Sequence, residues 1–289
     1  MNVTLNNISD LKKHLQKRLG SLYPPAEINS IAGIIISTLI EPDKLQVLKN
    51  PLLEIPPRQR PRLLDICSKL EEGMPVQYAL GETIFYNCRI RLNRHTLIPR
   101  QETEELVDLI IKENQGYSGR ILDIGTGPGT IAIALAANLP HADITALDIS
   151  HEALTKAEEN AILNNVRFKL LKYDILNPES GFPGGRFGIV VSNPPYVPES
   201  EKKGMHINIT GYEPSRALFV PDRDPLLFYR AIALKRDYLL SPGGKLYFEM
   251  HEKAGKALYL LLQSNGFSDI RIISDITGRE RFITAIFNG

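Results

Sequence analysis

The sequence has no tryptophan and only two cysteines among its 289 residues. Cys67 and Cys88 lie far apart, without the close spacing of zinc ligands, and no disulfide framework is implied. We therefore expect a reducing, cytoplasmic environment. A dominant charge is also missing, since 34 basic and 33 acidic residues leave a net charge of +1. That balance provides no overall field to attract nucleic acid or a membrane surface.

Long apolar runs are absent as well. The most apolar stretch, residues 31–40, is too short to span a bilayer and is predicted to be a core helix. Residues 1–7 lack a basic start followed by an apolar segment, so we expect no signal peptide. With 43% hydrophobic and 23% charged residues, the chain has the composition of a folded globular protein, long enough for one large domain and a small companion.

Residues 1–73 are predicted to form a helical domain. Apolar residues recur at helical spacing behind a cap expected at Ser9 or Asp10, and again after Pro24 and Pro25. Shorter helices are expected at residues 45–48 and 58–70. No catalytic constellation occurs here, so docking of a substrate is the predicted role. The two apolar faces consist of Leu11, Leu15, Leu19 and Leu22, and of Ile28, Ile31, Ala32, Ile35 and Leu39.

The hydrophobic period changes to two between residues 76 and 92. Cys88, Ile90 and Leu92 alternate with two arginines, and Asn87 provides a turn residue. Residues 74–96 are therefore predicted to be a β-hairpin that links two domains.

Residues 97–289 alternate between strand and helix patterns after a first helix that opens near Pro99. The chain finishes with two adjacent strand patterns, Ile270–Ser274 and Arg281–Phe287. This order predicts an α/β domain with a doubly wound, Rossmann-like sheet and an antiparallel last strand. The other predicted strands are Arg120–Asp123, Asp143–Asp148, Phe168–Tyr173, Phe187–Ser192 and Lys245–Met250, and the predicted helices are Thr130–Leu139, His151–Asn164, Leu226–Leu239 and Lys253–Asn265.

A glycine-rich segment joins the first of these strands to its helix. Its glycines permit a tight turn and a close approach of a ligand to the backbone. The spacing fits a dinucleotide site as well as an S-adenosylmethionine site, because both kinds of enzyme use this arrangement. The candidate ligand-binding residues of the segment are Asp123, Gly125, Thr126, Gly127, Pro128 and Gly129.

Three further strand ends carry suitable side chains. Asp148 is placed to accept hydrogen bonds from ribose hydroxyls, and Asp174 from an adenine amino group, with Ile175 covering the ring. Asp123 suits a methionine ammonium, and Asn193 closes the fourth strand at the expected switch point of the sheet. These features favour S-adenosylmethionine, because a nicotinamide enzyme would also need a proton-transfer residue, and no His or Tyr-Lys pair is placed for that role.

The tetrapeptide Asn193-Pro194-Pro195-Tyr196 is the most informative motif. The Asn193 side-chain oxygen and the Pro194 carbonyl can each accept one N–H of a planar NH2 group, and Tyr196 can stack on that group. Fixing both hydrogens favours a pyramidal nitrogen whose lone pair faces a sulfonium methyl about 3–3.5 Å away. The transferred methyl carries its own activation, so the pattern requires no metal.

Several charged residues near these motifs have two interpretations. Arg100 either lines the pocket or forms a surface ion pair with Glu104. Glu213 either orients a substrate group or caps a loop. Glu249 and His251 are interpreted as strand-end residues in preference to a metal pair.

The chain resembles the release-factor glutamine methyltransferase family (the HemK group), which modifies the glutamine of the Gly-Gly-Gln tripeptide in class 1 peptide chain release factors. The resemblance implies S-adenosylmethionine as cofactor, a glutamine held by residues 193–196, and a helical domain that contacts the release factor. It runs from about Pro75 to the C-terminus and rests on Pro75–Tyr78, Leu80-Gly81, Ile98–Glu105, Asp123–Gly129, Asn193–Tyr196, Tyr212–Pro214, Ala217-Leu218, Phe228–Arg230 and Gly278-Arg279.

Other functions remain open at this level. N6-adenine nucleic-acid methyltransferases share the Asn-Pro-Pro-Tyr motif, although they usually add a basic, aromatic-rich recognition domain. A glutamine of a ribosomal protein is a closer alternative substrate. A third interpretation is a nucleotide-binding scaffold without catalysis, against which the intact glycine segment and tetrapeptide argue. We expect a monomer without stably bound nucleic acid or membrane.

Overall fold

The computed structural model describes residues 5–40, 50–177 and 182–289. They form two compact units. The first comprises the described residues of Met1–Thr83 together with His206–Tyr212, and the second comprises Ile84–Met205 and Glu213–Gly289. The short segment His206–Tyr212 therefore packs with residues more than 120 positions earlier in the chain, which the hydrophobic pattern does not reveal. Docking by the helical part stays a prediction.

The first unit is helical. Its helices are α1 (Ile8–Leu19), α2 (Pro25–Leu39), α3 (Arg60–Glu71) and α4 (Val76–Leu80), with a 3-10 turn at Pro57–Gln59. The predicted apolar faces of α1 and α2 form its core, except that Leu22 is exposed. The helix expected at residues 45–48 lies outside the described residues.

Two expectations for this unit are wrong in detail. The cap of α1 is Asn7, whose side-chain oxygen accepts a hydrogen bond from the Asp10 N–H at 2.9 Å, because the backbone is extended at Asn7 and already helical at Ser9. Residues 76–80 are helical although they were assigned to the hairpin, since Val76, Ala79 and Leu80 are buried at helical spacing. Gly81 ends α4 with a positive φ of 82°.

The hairpin is shorter than predicted. Its strands are β1 (Glu82–Phe85) and β2 (Cys88–Arg91). Tyr86 and Asn87 have φ values of 44° and 63° at the turn, as a tight hairpin connection requires.

The second unit contains a seven-stranded sheet. Its order is β8-β9-β7-β6-β3-β4-β5, and all neighbours are parallel except β9, which is antiparallel to both of its neighbours. The predicted doubly wound α/β fold with an antiparallel last strand is confirmed. The strands are β3 (Arg120–Ile124), β4 (Asp143–Asp148), β5 (Lys169–Lys172), β6 (Phe187–Ser192), β7 (Leu240–Glu249), β8 (Phe267–Ser274) and β9 (Glu280–Phe287).

Helices connect these strands. The expected helix at residues 226–239 is broken at Lys235 into two helices, Leu227–Leu234 and the short Arg236–Leu239. The helix expected to begin at Lys253 begins two residues later, at Gly255. Short helices also occur at Ile207–Thr210 and Ser215–Leu218. The longer helices are α5 (Gln101–Glu113), α6 (Thr130–Asn138), α7 (His151–Leu163), α8 (Leu227–Leu234) and α9 (Gly255–Ser264).

The strand order changes direction between β3 and β6, because the chain adds β4 and β5 on one side of β3 and then β6 on the other. Ile124 is in register with both Leu147 of β4 and Ser192 of β6, so these three strands end at one level. Ligands of open α/β sheets bind beyond the carboxyl ends of the strands at such a switch point. The glycine segment follows β3 there and the tetrapeptide follows β6.

Among the helices in the described ranges, none is long and apolar enough to cross a membrane.

Candidate active site

The turn after β3 is a glycine loop with three positive φ angles, 75° at Gly125, 56° at Gly127 and 85° at Gly129. A Cβ at Gly125 or Gly127 would meet no atom within 4 Å, whereas a Cβ at Gly129 would lie 3.1 Å from Ala157 and Ile133 side chains. The first two glycines therefore border open space, and the third allows α6 to pack closely on α7. Such a turn is suited to a ligand that approaches the backbone.

Asp123 lies under this loop and is fully buried. Its Oδ2 accepts hydrogen bonds from the Thr126 hydroxyl at 2.6 Å and the Ala132 N–H at 3.2 Å. Its Oδ1 is buried without a hydrogen-bond partner among the described residues. Burial raises the pKa of the Asp123 carboxyl to about 7. A buried carboxylate with one unused oxygen is suited to a cationic ligand group.

Asp148 at the end of β4 is held by backbone N–H groups. Its Oδ2 accepts from Gly127 and its Oδ1 from Ser150, both at 2.9 Å. Burial raises the pKa of the Asp148 carboxyl, although these N–H groups and the charge of Arg216 act in the opposite direction. A carboxylate offers about four acceptor sites, and the backbone N–H groups of Gly127, Ile149 and Ser150 use at most three, so Asp148 can accept a further hydrogen bond from a diol.

Asp174 and Ile175 follow β5, as predicted. Asp174 Oδ1 accepts a hydrogen bond from the Leu176 N–H at 2.9 Å and so caps its own turn. The Ile175 side chain is buried in the main apolar cluster of the second unit. Adenine recognition by this pair stays a prediction.

Asn160 on α7 is a residue that the sequence analysis missed. Its side-chain amide pairs with both backbone groups of Arg91 in β2, at 2.8 and 3.0 Å, and also donates to the Pro128 carbonyl at 2.9 Å. Asn164, one turn later, pairs with Arg89 in the same way. Asn160 therefore ties the glycine loop to the edge of β2. Two asparagines spaced by four residues in a predicted helix were the available signal.

The tetrapeptide begins where β6 ends. Ser192 Oγ donates to the Ile124 carbonyl at 2.7 Å, which joins the β6 end to the β3 end. The Asn193 side-chain NH2 donates to Thr103 Oγ1 at 3.1 Å. In the described part of the chain, no group donates to Asn193 Oδ1. Pro194 is buried, and Pro195 and Tyr196 are partly buried.

Glu249 ends β7, as expected, but its contacts could not be read from the strand pattern. It is 1% exposed, and the hydroxyls of Thr103 and Tyr196 donate to its two carboxylate oxygens at 2.6 and 3.0 Å. The Tyr229 hydroxyl donates to its backbone carbonyl at 2.9 Å. Burial raises the pKa of the Glu249 carboxyl and of the Tyr196 hydroxyl. Glu249 is thus the centre of a buried network and more than a strand-end residue.

Arg100 does not pair with Glu104. Its guanidinium donates to Glu213 Oε1 at 2.6 Å, and Glu213 Oε2 accepts the Ile98 N–H at 3.1 Å. The carboxylate of Glu213 is 1% exposed and anchors the backbone just before α5, while Glu104 accepts the N–H of Tyr86. Arg100 remains one-third exposed.

A family model named "Methyltransferase small domain" matches residues 101–209. A release factor glutamine methyltransferase of Bacteroides thetaiotaomicron is 40% identical over 272 residues, which is 94% of this chain and 97% of that protein. One from Flavobacterium psychrophilum is 41% identical over 97% of this chain and 99% of its own length. The chain belongs to the release factor glutamine methyltransferase family. The family resemblance is confirmed, and it extends into the helical region that precedes Pro75.

A solved methyltransferase from Pyrococcus furiosus supports the fold alone. It superposes with a TM-score of 0.51 at 19% identity, covering 80% of this chain and 98% of that one.

Proposed function

We propose that this protein transfers a methyl group from S-adenosylmethionine to the side-chain amide nitrogen (N5) of the glutamine in the Gly-Gly-Gln motif of class 1 peptide chain release factors. The observation that carries the proposal is the position of the tetrapeptide Asn193–Tyr196, which we call the amide corner. It follows β6 next to the glycine loop, at the switch point of the sheet. Relatives named release factor glutamine methyltransferase support the choice of substrate.

The residues around the glycine loop fit the proposed cofactor. The unpartnered Oδ1 of Asp123 suits the ammonium group of the cofactor. The open space beside Gly125 and Gly127 leaves room for the part of the cofactor that would lie against the loop backbone. Asp148 is placed for the ribose hydroxyls, and Asp174 with Ile175 for adenine. Thr126, Pro128 and Gly129 shape the loop. When bound, this cofactor supplies an electrophilic methyl on a sulfonium centre.

The tetrapeptide supplies positioning for the acceptor. An amide nitrogen is a poor nucleophile because its lone pair is delocalised into the carbonyl. We propose that Asn193 Oδ1 and the Pro194 carbonyl each accept one N–H of the substrate glutamine, which directs the nitrogen lone pair away from both acceptors. Pro195 stiffens the backbone, and the Tyr196 ring covers the planar group. Orientation of this kind can contribute a large part of the rate.

The helical first unit is proposed to dock the release factor, because no catalytic cluster is found in its described residues.

The first test uses purified protein and methyl-labelled S-adenosylmethionine. A class 1 release factor should acquire label, and a Gln→Ala change in its Gly-Gly-Gln motif should abolish the transfer. A ribosomal-protein fraction and an adenine-containing DNA duplex serve as competing acceptors. Label on DNA adenine, or on the release factor after the Gln→Ala change, would contradict the proposal.

A pair of glycine substitutions separates ligand access from packing. Gly127→Ala puts a methyl group into open space and should cost about 1–2 kcal/mol of stability, from the left-handed backbone alone. In Gly129→Ala the new methyl group would also lie too close to Ala157, and this steric strain should cost roughly 1–3 kcal/mol of stability in addition. Thermal unfolding without cofactor should rank them in this order. S-adenosylmethionine affinity should fall in the Gly127 variant although most of its stability is kept; equal affinity to the wild type would refute the placement of the loop.

A further inference from the structure

Two side chains of the amide corner converge on one buried carboxylate. Thr103 lies in the first turn of α5, Glu249 ends β7, and Asn193 follows β6, so three distant segments meet. Thr103 belongs to the Ile98–Glu105 motif and is hydrogen-bonded to both Glu249 and Asn193. The tetrapeptide is held at both of its ends, Asn193 through Thr103 and Tyr196 directly.

The direction of the hydrogen bonds follows from counting protons. An ionised carboxylate only accepts, so the single hydroxyl proton of Thr103 points to Glu249 at 2.6 Å. Thr103 Oγ1 is then an acceptor toward Asn193, and the Asn193 group that faces it at 3.1 Å must be the NH2. The carbonyl end of the Asn193 amide consequently faces away from Thr103. A substrate NH2 needs an acceptor at that position.

We propose that Thr103 and Glu249 are positioning residues that set the polarity of the Asn193 amide and so make the corner select an acceptor nitrogen that carries two hydrogens. The proposal rests on the proposed function. Neither residue touches the reacting atoms. We call the two hydrogen bonds from Asn193 to Thr103 and from Thr103 to Glu249 the relay. If both bonds ran in the opposite direction, Asn193 would present its own NH2 to the substrate NH2, and the two donors would repel each other.

The relay depends on the ionised form of Glu249. Thr103, Tyr196 and the positive charge of Arg281 favour that form, and Glu102 and burial oppose it. The His251 ring packs edge-on against the Tyr196 ring, with the ring centroids 6.3 Å apart, and its Nε2 lies 3.5 Å from a carboxylate oxygen of Glu201. Protonated Glu249 can donate to Thr103, which releases the Thr103 proton toward Asn193. With saturating S-adenosylmethionine, kcat should therefore decline on the acid side, in a pH range above that of an ordinary glutamate.

The test compares Thr103→Val with Thr103→Ser. Valine keeps the shape but removes the hydroxyl, so kcat should fall about 10- to 100-fold while KM for S-adenosylmethionine stays within about twofold. Serine restores the hydroxyl and should keep kcat within about threefold. Glu249→Gln has no ionisable group at this position and should remove the acid-side decline of kcat. Should Thr103→Val fail to fold, Thr103→Cys, with a weaker donor, should show an intermediate loss.

An orientation measurement separates this inference from the proposed function. The side-chain proton that Asn193 donates to Thr103, observed by nuclear magnetic resonance, should exchange slowly with solvent in the wild type and the Thr103→Ser variant and rapidly in Thr103→Val. A wild type that methylates no release factor sinks the proposed function but leaves this measurement intact. Wild-type kcat and slow exchange in Thr103→Val would overturn the inference.

Discussion

Asn193→Ala should lower kcat by about 10²–10³-fold, the usual cost of removing one oriented polar group at a reaction centre. Alanine has no oxygen to accept a substrate N–H, so one hydrogen of the glutamine amide is left free and the nitrogen stays planar. The glycine loop, Asp123 and Asp148 are unchanged by this substitution. The affinity for S-adenosylmethionine, measured by calorimetry, should therefore stay within about tenfold of the wild type, since one hydrogen bond contributes little more than that.

The matched control for this experiment is Asn138→Ala. Asn138 is an exposed residue at the end of α6, and its side chain bonds only to the carbonyl of Ala134 among the described residues. Its kcat should equal that of the wild type. An Asn193→Ala variant that turns over within threefold of the wild type would remove the amide corner from the mechanism.

Asp123→Asn should weaken S-adenosylmethionine binding by about 10- to 150-fold, which corresponds to the loss of a hydrogen bond to a charged group. Asparagine keeps an oxygen for Thr126 and Ala132, but an uncharged NH2 group, which only donates hydrogen bonds, replaces the unpartnered Oδ1 of the carboxylate. The cofactor-free variant should not be less stable than the wild type at pH 8, because a buried charge has been removed. Asp65→Asn, a change of an exposed residue of α3, controls for the altered net charge.

The pH dependence of the same equilibrium has a definite sign. Burial raises the pKa of Asp123 to about 7, so the carboxyl gains a proton as the pH falls through 7 in the free protein. A cationic ligand requires the ionised form, so wild-type affinity should fall as the pH drops below 7, by up to about tenfold per unit. For folding the sign is opposite. A carboxyl whose folded pKa is raised adds stability as the pH falls from about 7 toward its unfolded value.

Titration calorimetry at pH 6, 7 and 8 in two buffers tests this coupling. Proton release on binding should be seen at pH 6 in the wild type and should be absent in Asp123→Asn. Equal proton release in both proteins would show that another group titrates.

Local signals were sufficient for the sheet edge that carries the site. The strands β4 and β6 are short, mainly apolar runs that end at Asp148 and Ser192, and β3 carries Asp123 one residue before its end. Parallel strands bring such ends to one level. The glycine loop was predictable because a left-handed backbone at Gly125, Gly127 and Gly129 is accessible mainly to glycine. The fold class and the sheet edge at which the strands end followed from these patterns.

Long-range partners were not predictable in this way. Thr103 and Glu249 are separated by 146 positions, and Arg100 and Glu213 by 113. One of the two interpretations of Arg100 was an ion pair with Glu104, because only local pairs can be read from helical spacing. Which carboxylate a side chain meets depends on how α5 packs on the sheet, and no periodic pattern records that packing.

The placement of His206–Tyr212 has a consequence for protein engineering. The Tyr212 hydroxyl donates to the Glu72 carbonyl at 2.8 Å, and the His206 ring lies 5.4 Å from that of Tyr23. Removal of residues 1–83 would take away both of these contacts from His206–Tyr212, a segment that lies between the tetrapeptide and Glu213 in the chain. A fragment that begins at Ile84 therefore still carries seven residues that pack with the helical unit in the whole chain.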